Sequence, residues 1–235
     1  MGMIYFTHIP KTAGTAFKRN VLEANFPKRV FSPKGFRQFA LQSFPDHSCI
    51  SNHFPYGVHI LKPFRKASYF TFLRDPVERS ISHYYFVLQL KYEKWQHPDY
   101  ARHSAFSLEE IWQDEPGQRY GALKSNLQTR FIAGLGTGFY LKTSPAKMLK
   151  TAKMHLRDKY LFVGIQERFP ESCRLFQSLF PAEPTNLEER PMKTEKKPEL
   201  SSSTLLAIEN ANELDLELYQ YGLKLFENRS IASGK

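Results

Sequence analysis

The chain has only two cysteines in 235 residues, Cys49 and Cys173. Two thiols that far apart supply neither a disulfide framework nor a metal-ligand cluster. Two buried free thiols in a reducing compartment are the expectation. No run of about 18 apolar residues occurs, so no membrane-spanning helix is expected. The sequence enters a strand-like segment at Met3 with no charged-then-apolar leader before it, and a cytoplasmic location is the expectation. Internal repeats and extended low-complexity segments are missing as well. So is the phosphate-binding pattern G-x-x-x-x-G-K-[ST], which counts against a nucleotide kinase. Acidic charge is scarce: 23 Asp and Glu face 33 Lys and Arg, a formal net charge of +10. That excess favours an anionic partner, whether nucleotide, acidic polysaccharide, nucleic acid or membrane surface. A merely solvated basic face gives the same balance, so charge alone does not choose.

What is present describes a globular chain. Apolar residues make up 41% and aromatics 14%, with 20 Phe and 12 Tyr to fill a core, and the length suits one domain over 1–235. Met3 to Thr7 is aromatic and β-branched and stops before Pro10, as a buried strand does. From Gly14 the pattern turns helical, with Phe17, Val21 and Leu22 on one face, until Pro27. Ser48 to His53 and Ser68 to Leu73 read as strands. Pro76 then opens a helix that runs to about Leu90. A weaker stretch from Phe31 to Phe44 holds one short helix. A helical and irregular excursion is expected at 91–145, with one short helix near Leu108 to Trp112 and another from Leu123 to Ile132. Beyond it come a helix at Pro145 to Leu156, a strand at Tyr160 to Ile165, a helix from Glu167 to Phe180 and one long amphipathic helix from Ser201 to Phe226. Alternation of this kind predicts an α/β fold: a P-loop-like central parallel sheet flanked by helices. Right-handed crossovers bring the loops holding Pro10 to Gly14, His53 and Arg74 to one sheet edge, where ligands bind in such folds.

The segment His8-Ile-Pro-Lys-Thr-Ala-Gly-Thr-Ala-Phe17 lies between that first strand and helix. Backbone amides and a helix start converge on one point there. Lys11 adds a full charge, Gly14 lets backbone come close, and Thr12 and Thr15 offer hydroxyls. The combination is a phosphate or phosphosulfate cradle over Lys11, Thr12, Ala13, Gly14, Thr15 and Ala16. Its lysine precedes the glycine, unlike a Walker A loop, and no Walker B aspartate is evident.

PKTAGT after the first strand resembles the 5′-phosphosulfate loop of the sulfotransferases that use 3′-phosphoadenosine 5′-phosphosulfate. The form is that of the heparan sulfate 2-O-sulfotransferase-like group, sulfotransferase family 2. Phe72-Leu-Arg-Asp-Pro-Val-Glu-Arg-Ser-Ile-Ser-His-Tyr-Tyr-Phe86 resembles the same family's 3′-phosphate segment. The resemblance implies that Arg74 grips that phosphate and that Ser82 donates to it from the helix. His83 stands at a tyrosine-like position of the pattern, and Arg79 reads as a structural ion-pair former. Met192-Lys-Thr-Glu-Lys-Lys-Pro198 with the helix after it is similar to the family's basic closing loop, which implies that Lys196 reaches the cofactor. The implied activity is sulfuryl transfer to a hydroxyl, of a carbohydrate first, leaving adenosine 3′,5′-bisphosphate.

Such a transfer needs a base and a leaving-group partner. Lys11 is the candidate for the leaving phosphate oxygen, and no metal is expected. His53, just past a strand on the ligand edge, is the candidate base, because an imidazole accepts protons near neutral pH. The family resemblance also puts a histidine there, though its frequent second histidine is Ser51 here. His8 and His59 compete for the role. Gln128 and Arg130, on a polar helical face, together with His59, are the candidate acceptor contacts. Lys18, Arg19, Lys28, Arg29 and Lys34 form a candidate landing patch for an anionic glycan. Two other classes stay open: a metal-dependent phosphotransferase, and a non-catalytic glycan- or nucleic-acid-binding module. No nucleic-acid motif supports the latter. The sulfotransferase reading requires that Lys11 and Arg74 face one shared space.

Overall fold

The computed structural model describes residues 2–89, 97, 99–113, 125–137, 143–180 and 200–233. Five strands form one wholly parallel sheet: β1 (Met3–Thr7), β2 (Val30–Phe31), β3 (Cys49–Asn52), β4 (Ala67–Leu73) and β5 (Tyr160–Ile165). Their spatial order is β2-β3-β1-β4-β5. Helices on both faces complete the α/β architecture that the alternating sequence predicts. The chain leaves β1 for β2 at one edge, returns to β3 beside β1, then crosses to β4 on the other side. This reversal opens a crevice at the carboxyl end of β1, the standard ligand position in open parallel sheets.

The two sheet faces differ in chemistry because side chains alternate along a strand. On one face Phe6, Phe70, Phe72 and Phe162 meet Phe17 of the first helix and Phe176, all buried. Each contributes roughly 1.5–3 kcal/mol by burial. On the other face Tyr5 stacks on Tyr69 at 5.0 Å, and Tyr160 shares a 3.0 Å hydrogen bond with Thr7. Cys49 and Cys173 are buried free thiols.

The first helix, α1 (Gly14–Phe17), runs through a π turn at Lys18–Leu22 into α2 (Glu23–Asn25). α3 (Phe36–Leu41) covers Tyr5, and α4 (Pro76–Gln89) follows β4 directly. The excursion holds α5 (Tyr100–Ala105) and α6 (Leu108–Gln113), one helix more than the sequence predicts. The added helix is α5, whose His103 stacks on Tyr84 of α4, while α6 joins a second small core in which Ile81 and Tyr84 pack with Leu108, Ile111, Trp112 and Ile208. α7 (Leu127–Ala133), α8 (Pro145–Asp158) and α9 (Phe169–Leu179) come next. The expected helix from Ser201 to Phe226 is two helices, α10 (Ser202–Ala211) and α11 (Glu213–Ser233). Asn212 breaks it: its side-chain amide donates to the Ile208 carbonyl, and its side-chain oxygen accepts the Asn126 N–H. Periodicity cannot register a break that preserves the apolar face. No described helix is long and apolar enough to cross a membrane.

Candidate functional site

The loop after β1 is built around two left-handed residues, Lys11 (φ 68°) and Ala13 (φ 67°). Backbone of this kind turns neighbouring N–H groups toward one side and forms anion-binding concavities. Each non-glycine left-handed residue costs about 1–2 kcal/mol, so the surroundings must enforce the shape. Thr12 does part of this: it is buried, and its hydroxyl donates to the Ile9 carbonyl at 2.9 Å. That hydroxyl braces the loop. Ala13 is the cap residue of α1 and gives it no side-chain hydrogen bond, so no side chain occupies the first-turn amides. Gly14 is needed for a reason the sequence hides. A Cβ there would lie 1.9 Å from His8 Cδ2, so the glycine makes room for an imidazole. Ala16 is buried and Thr15 half-buried beside it.

His8 is half-buried and its ring stacks on Phe6 at 5.4 Å. Desolvation, then His53, Lys18 and Lys11, hold its pKa well below the usual imidazole value. Above it lies His53, exposed, with ring centroids 4.4 Å apart. His53 Nδ1 sits 2.5 Å from the His8 carbonyl oxygen. A carbonyl only accepts, so Nδ1 carries the proton and Nε2 keeps its lone pair. The His53 backbone N–H donates to Asn52 Oδ1 at 2.6 Å, which fixes the loop. Desolvation in the cleft lowers the His53 pKa, the His8 hydrogen bond opposes this, and His97 lowers it further. The ring is therefore neutral at neutral pH.

The Arg74 side chain touches the loop that carries Lys11. Arg74 Nη1 donates to the Lys11 carbonyl at 3.1 Å, and Nη2 lies 3.5 Å from Glu78 Oε2. Arg74 Nε is buried with no hydrogen-bond partner, a donor available to an anion. The Lys11 ammonium rests 4.0 Å over the Phe86 ring of α4. Ser82 is buried on the same helix, about two turns after Arg74. Burial lowers the Arg74 pKa, and Glu78, Glu167 and Asp75 oppose it.

Gln128, expected to touch an acceptor, is fully buried and clamps Arg74 instead. Its Oε1 accepts the Arg74 N–H at 3.0 Å and its Nε2 donates to the Arg74 carbonyl at 2.8 Å. Arg130 Nε donates to the Ser125 carbonyl at 2.9 Å. His59 lies on the tyrosine face, its Nδ1 2.9 Å from the Tyr69 hydroxyl and its ring against Tyr56. Arg19, Lys28, Arg29 and Lys34 are exposed, while Lys18 is half-buried and pairs with Glu23 at 3.6 Å. Lys196 falls outside the described residues.

Several residues that position the site carry no sequence signal. Asp215, at the start of α11, accepts the Gln128 and Thr129 amides, while Asn126 Oδ1 accepts those of Leu214 and Asp215. Two helix starts thus cap each other, and the pair fixes Gln128. Glu167 accepts the Asp75 N–H at 3.0 Å and so pins the start of α4 to β5. Buried Arg79 lies in the field of Asp215 rather than toward the loop.

A family model described as Sulfotransferase family matches residues 3–222. A search among curated proteins found no match.

Proposed function

The chain belongs to the sulfotransferase family, and we propose that it moves a sulfuryl group from 3′-phosphoadenosine 5′-phosphosulfate to a hydroxyl of a carbohydrate. The acceptor class is the one suggested by resemblance to the heparan sulfate 2-O-sulfotransferase-like group. The observation that carries the reading is the 3.1 Å hydrogen bond between Arg74 and the Lys11 carbonyl. The contact joins the loop to a guanidinium with a spare buried donor, which supports reading them as one site for a bisphosphorylated nucleotide. In this reading the loop amides from Lys11 to Ala16 hold the 5′-phosphosulfate. Arg74 and Ser82 hold the 3′-phosphate, and Gln128 fixes the Arg74 backbone. Lys196 is assigned to close over the nucleotide.

His53 Nε2 receives the acceptor hydroxyl. As that oxygen attacks sulfur in line, its proton passes to Nε2. The bond from sulfur to the 5′-phosphate oxygen breaks, and its electron pair leaves on the phosphate. The Lys11 ammonium moves from Phe86 to neutralise the charge gained there. Positioning and fixed charge supply most of the acceleration in such a transfer. Exposed Arg19, Lys28, Arg29 and Lys34 offer an acidic glycan its landing patch.

Calorimetric titration with adenosine 3′,5′-bisphosphate is the test. The parent protein binds it, and Lys11→Ala and Arg74→Ala each weaken binding by about 10- to 100-fold, the worth of a charged hydrogen bond. No binding by the parent, together with magnesium-dependent phosphoryl transfer from ATP, would overturn the proposal.

A further inference from the structure

Apart from the residues assigned to donor and acceptor, α4 and the segment before α5 bring together His83, His97 and Asp99, whose donor atoms all lie within 4.8 Å of one another. His83 Nε2 is 3.7 Å and His97 Nδ1 3.8 Å from the same oxygen, Asp99 Oδ2. His83 is 3% exposed, and neither ring nitrogen has a hydrogen-bond partner. A buried imidazole left so is costly, and its Nε2 faces a carboxylate beyond hydrogen-bonding reach. From this geometry we propose that His83, His97 and Asp99 bind a divalent transition-metal ion of the zinc class.

The donor set fits that ion. Two imidazoles and one carboxylate suit zinc, cobalt or nickel rather than magnesium or calcium. Tetrahedral zinc, with bonds of about 2.0–2.1 Å, sets neighbouring donors about 3.4 Å apart. The two separations to Asp99, 3.7 and 3.8 Å, need only small inward movement, and all three donor atoms already lie within 4.8 Å of one another. His97 Nδ1 already accepts the Asp99 N–H at 3.1 Å, so it is the unprotonated nitrogen that a metal requires. That hydrogen bond is given up on coordination. His103 Nδ1 donates to the Asp99 carbonyl at 2.8 Å and anchors the strand of chain that carries the carboxylate. Against the site stands buried Arg79, whose field reaches His83, but Asp215 offsets its charge. The carboxylate leaves the cluster one negative charge with both rings neutral. Three protein ligands leave a fourth position for water.

Occupancy would tie the segment before α5 to α4 beside the donor loop. The His97 ring is 6.3 Å from Phe86, the residue that carries the Lys11 ammonium. The site makes no use of donor or acceptor, so its test stands apart from that of the transfer reaction. Full-length protein, stripped with chelator and dialysed, is titrated with cobalt and then zinc, with neither nucleotide nor glycan present. The expected result is one equivalent bound, visible d–d absorption of tetrahedral cobalt, loss of that absorption on adding zinc, and a melting temperature raised by either metal. His97→Ala and Asp99→Asn each weaken binding by more than about tenfold. Both residues are partly exposed, so these variants fold even if His83→Ala does not. Absence of cobalt absorption, or uptake unchanged in both variants, would overturn the assignment.

Discussion

Two pairs of histidines stand near the donor loop, and they differ in what lies beside them. His8 and His53 lie ring over ring at 4.4 Å, and the partner of His53 Nδ1 is a neutral carbonyl. His83 and His97 are 5.7 Å apart, and a carboxylate lies between them. A carbonyl holds one tautomer and leaves the opposite lone pair open with no added charge. That arrangement suits a base that must gain and then release a proton. A carboxylate adds negative charge at the point where both rings aim a nitrogen, which suits a cation that stays. Burial lowers the pKa of members of both pairs, to about 4 at His83. Desolvation alone therefore does not separate the two roles, and the immediate neighbour does.

The largest effect that tests this contrast is on turnover. His53→Ala removes the proposed base and lowers kcat by about 10²- to 10⁴-fold. The affinity for adenosine 3′,5′-bisphosphate stays unchanged, because no donor contact is assigned to His53. His97→Ala, in the other pair, leaves the proton-transfer step intact. Single-turnover assays beside calorimetry separate the outcomes: a His53 variant with full turnover would end its assignment as base.

A smaller effect comes from the floor under His53. Gly14→Ala places a methyl group 1.9 Å from the His8 ring, and overpacking of this kind costs about 1–3 kcal/mol. The ring must leave Phe6, and His53 loses its stacking neighbour, so both stability and kcat fall. The double variant His8→Ala with Gly14→Ala recovers much of the stability, because the methyl then has space. Chemical denaturation of the four proteins measures the coupling. Additive losses would show that Gly14 serves the loop backbone alone.

Much of the fold was legible because it rests on local pattern. Tyr160 to Ile165 is the strand the sequence predicts, and β3, β4 and α8 depart from expectation by a residue or two at their ends. The donor loop was legible for the same reason, since a lysine, a glycine and two threonines between a strand and a helix fall within one short segment. What escaped was long-range. Gln128 reads as polar helix surface, yet Asp215, 87 residues later, turns it inward against Arg74. The two-residue β2 is too short to show a period, and Asn212 interrupts a helix without disturbing its apolar face. His83, His97 and Asp99 have no metal-ligand spacing, because packing of the excursion on α4, not sequence separation, brings them together. The sequence also hides that the space a Gly14 Cβ would need is filled by His8, six residues earlier.

The smallest effect concerns acid stability, and its sign follows from His8. The folded pKa is well below the ordinary imidazole value of 6.5, through desolvation first and then the charges of His53, Lys18 and Lys11. The unfolded chain therefore binds a proton that the folded chain refuses. This contribution to stability is fully present above about pH 6.5 and is lost as pH falls toward the folded pKa, by about 1.4 kcal/mol per pH unit for one proton. His8→Phe keeps an aromatic ring on Phe6 and cannot titrate. Urea midpoints at pH 7.0 and 5.5 should then fall less in the variant than in the parent, whatever the absolute level at pH 7.0. Equal urea slopes in the two proteins would mean that the His8 ring is hydrated. The first pair would then lack its dry floor, and His8 would add nothing to stability on the alkaline side.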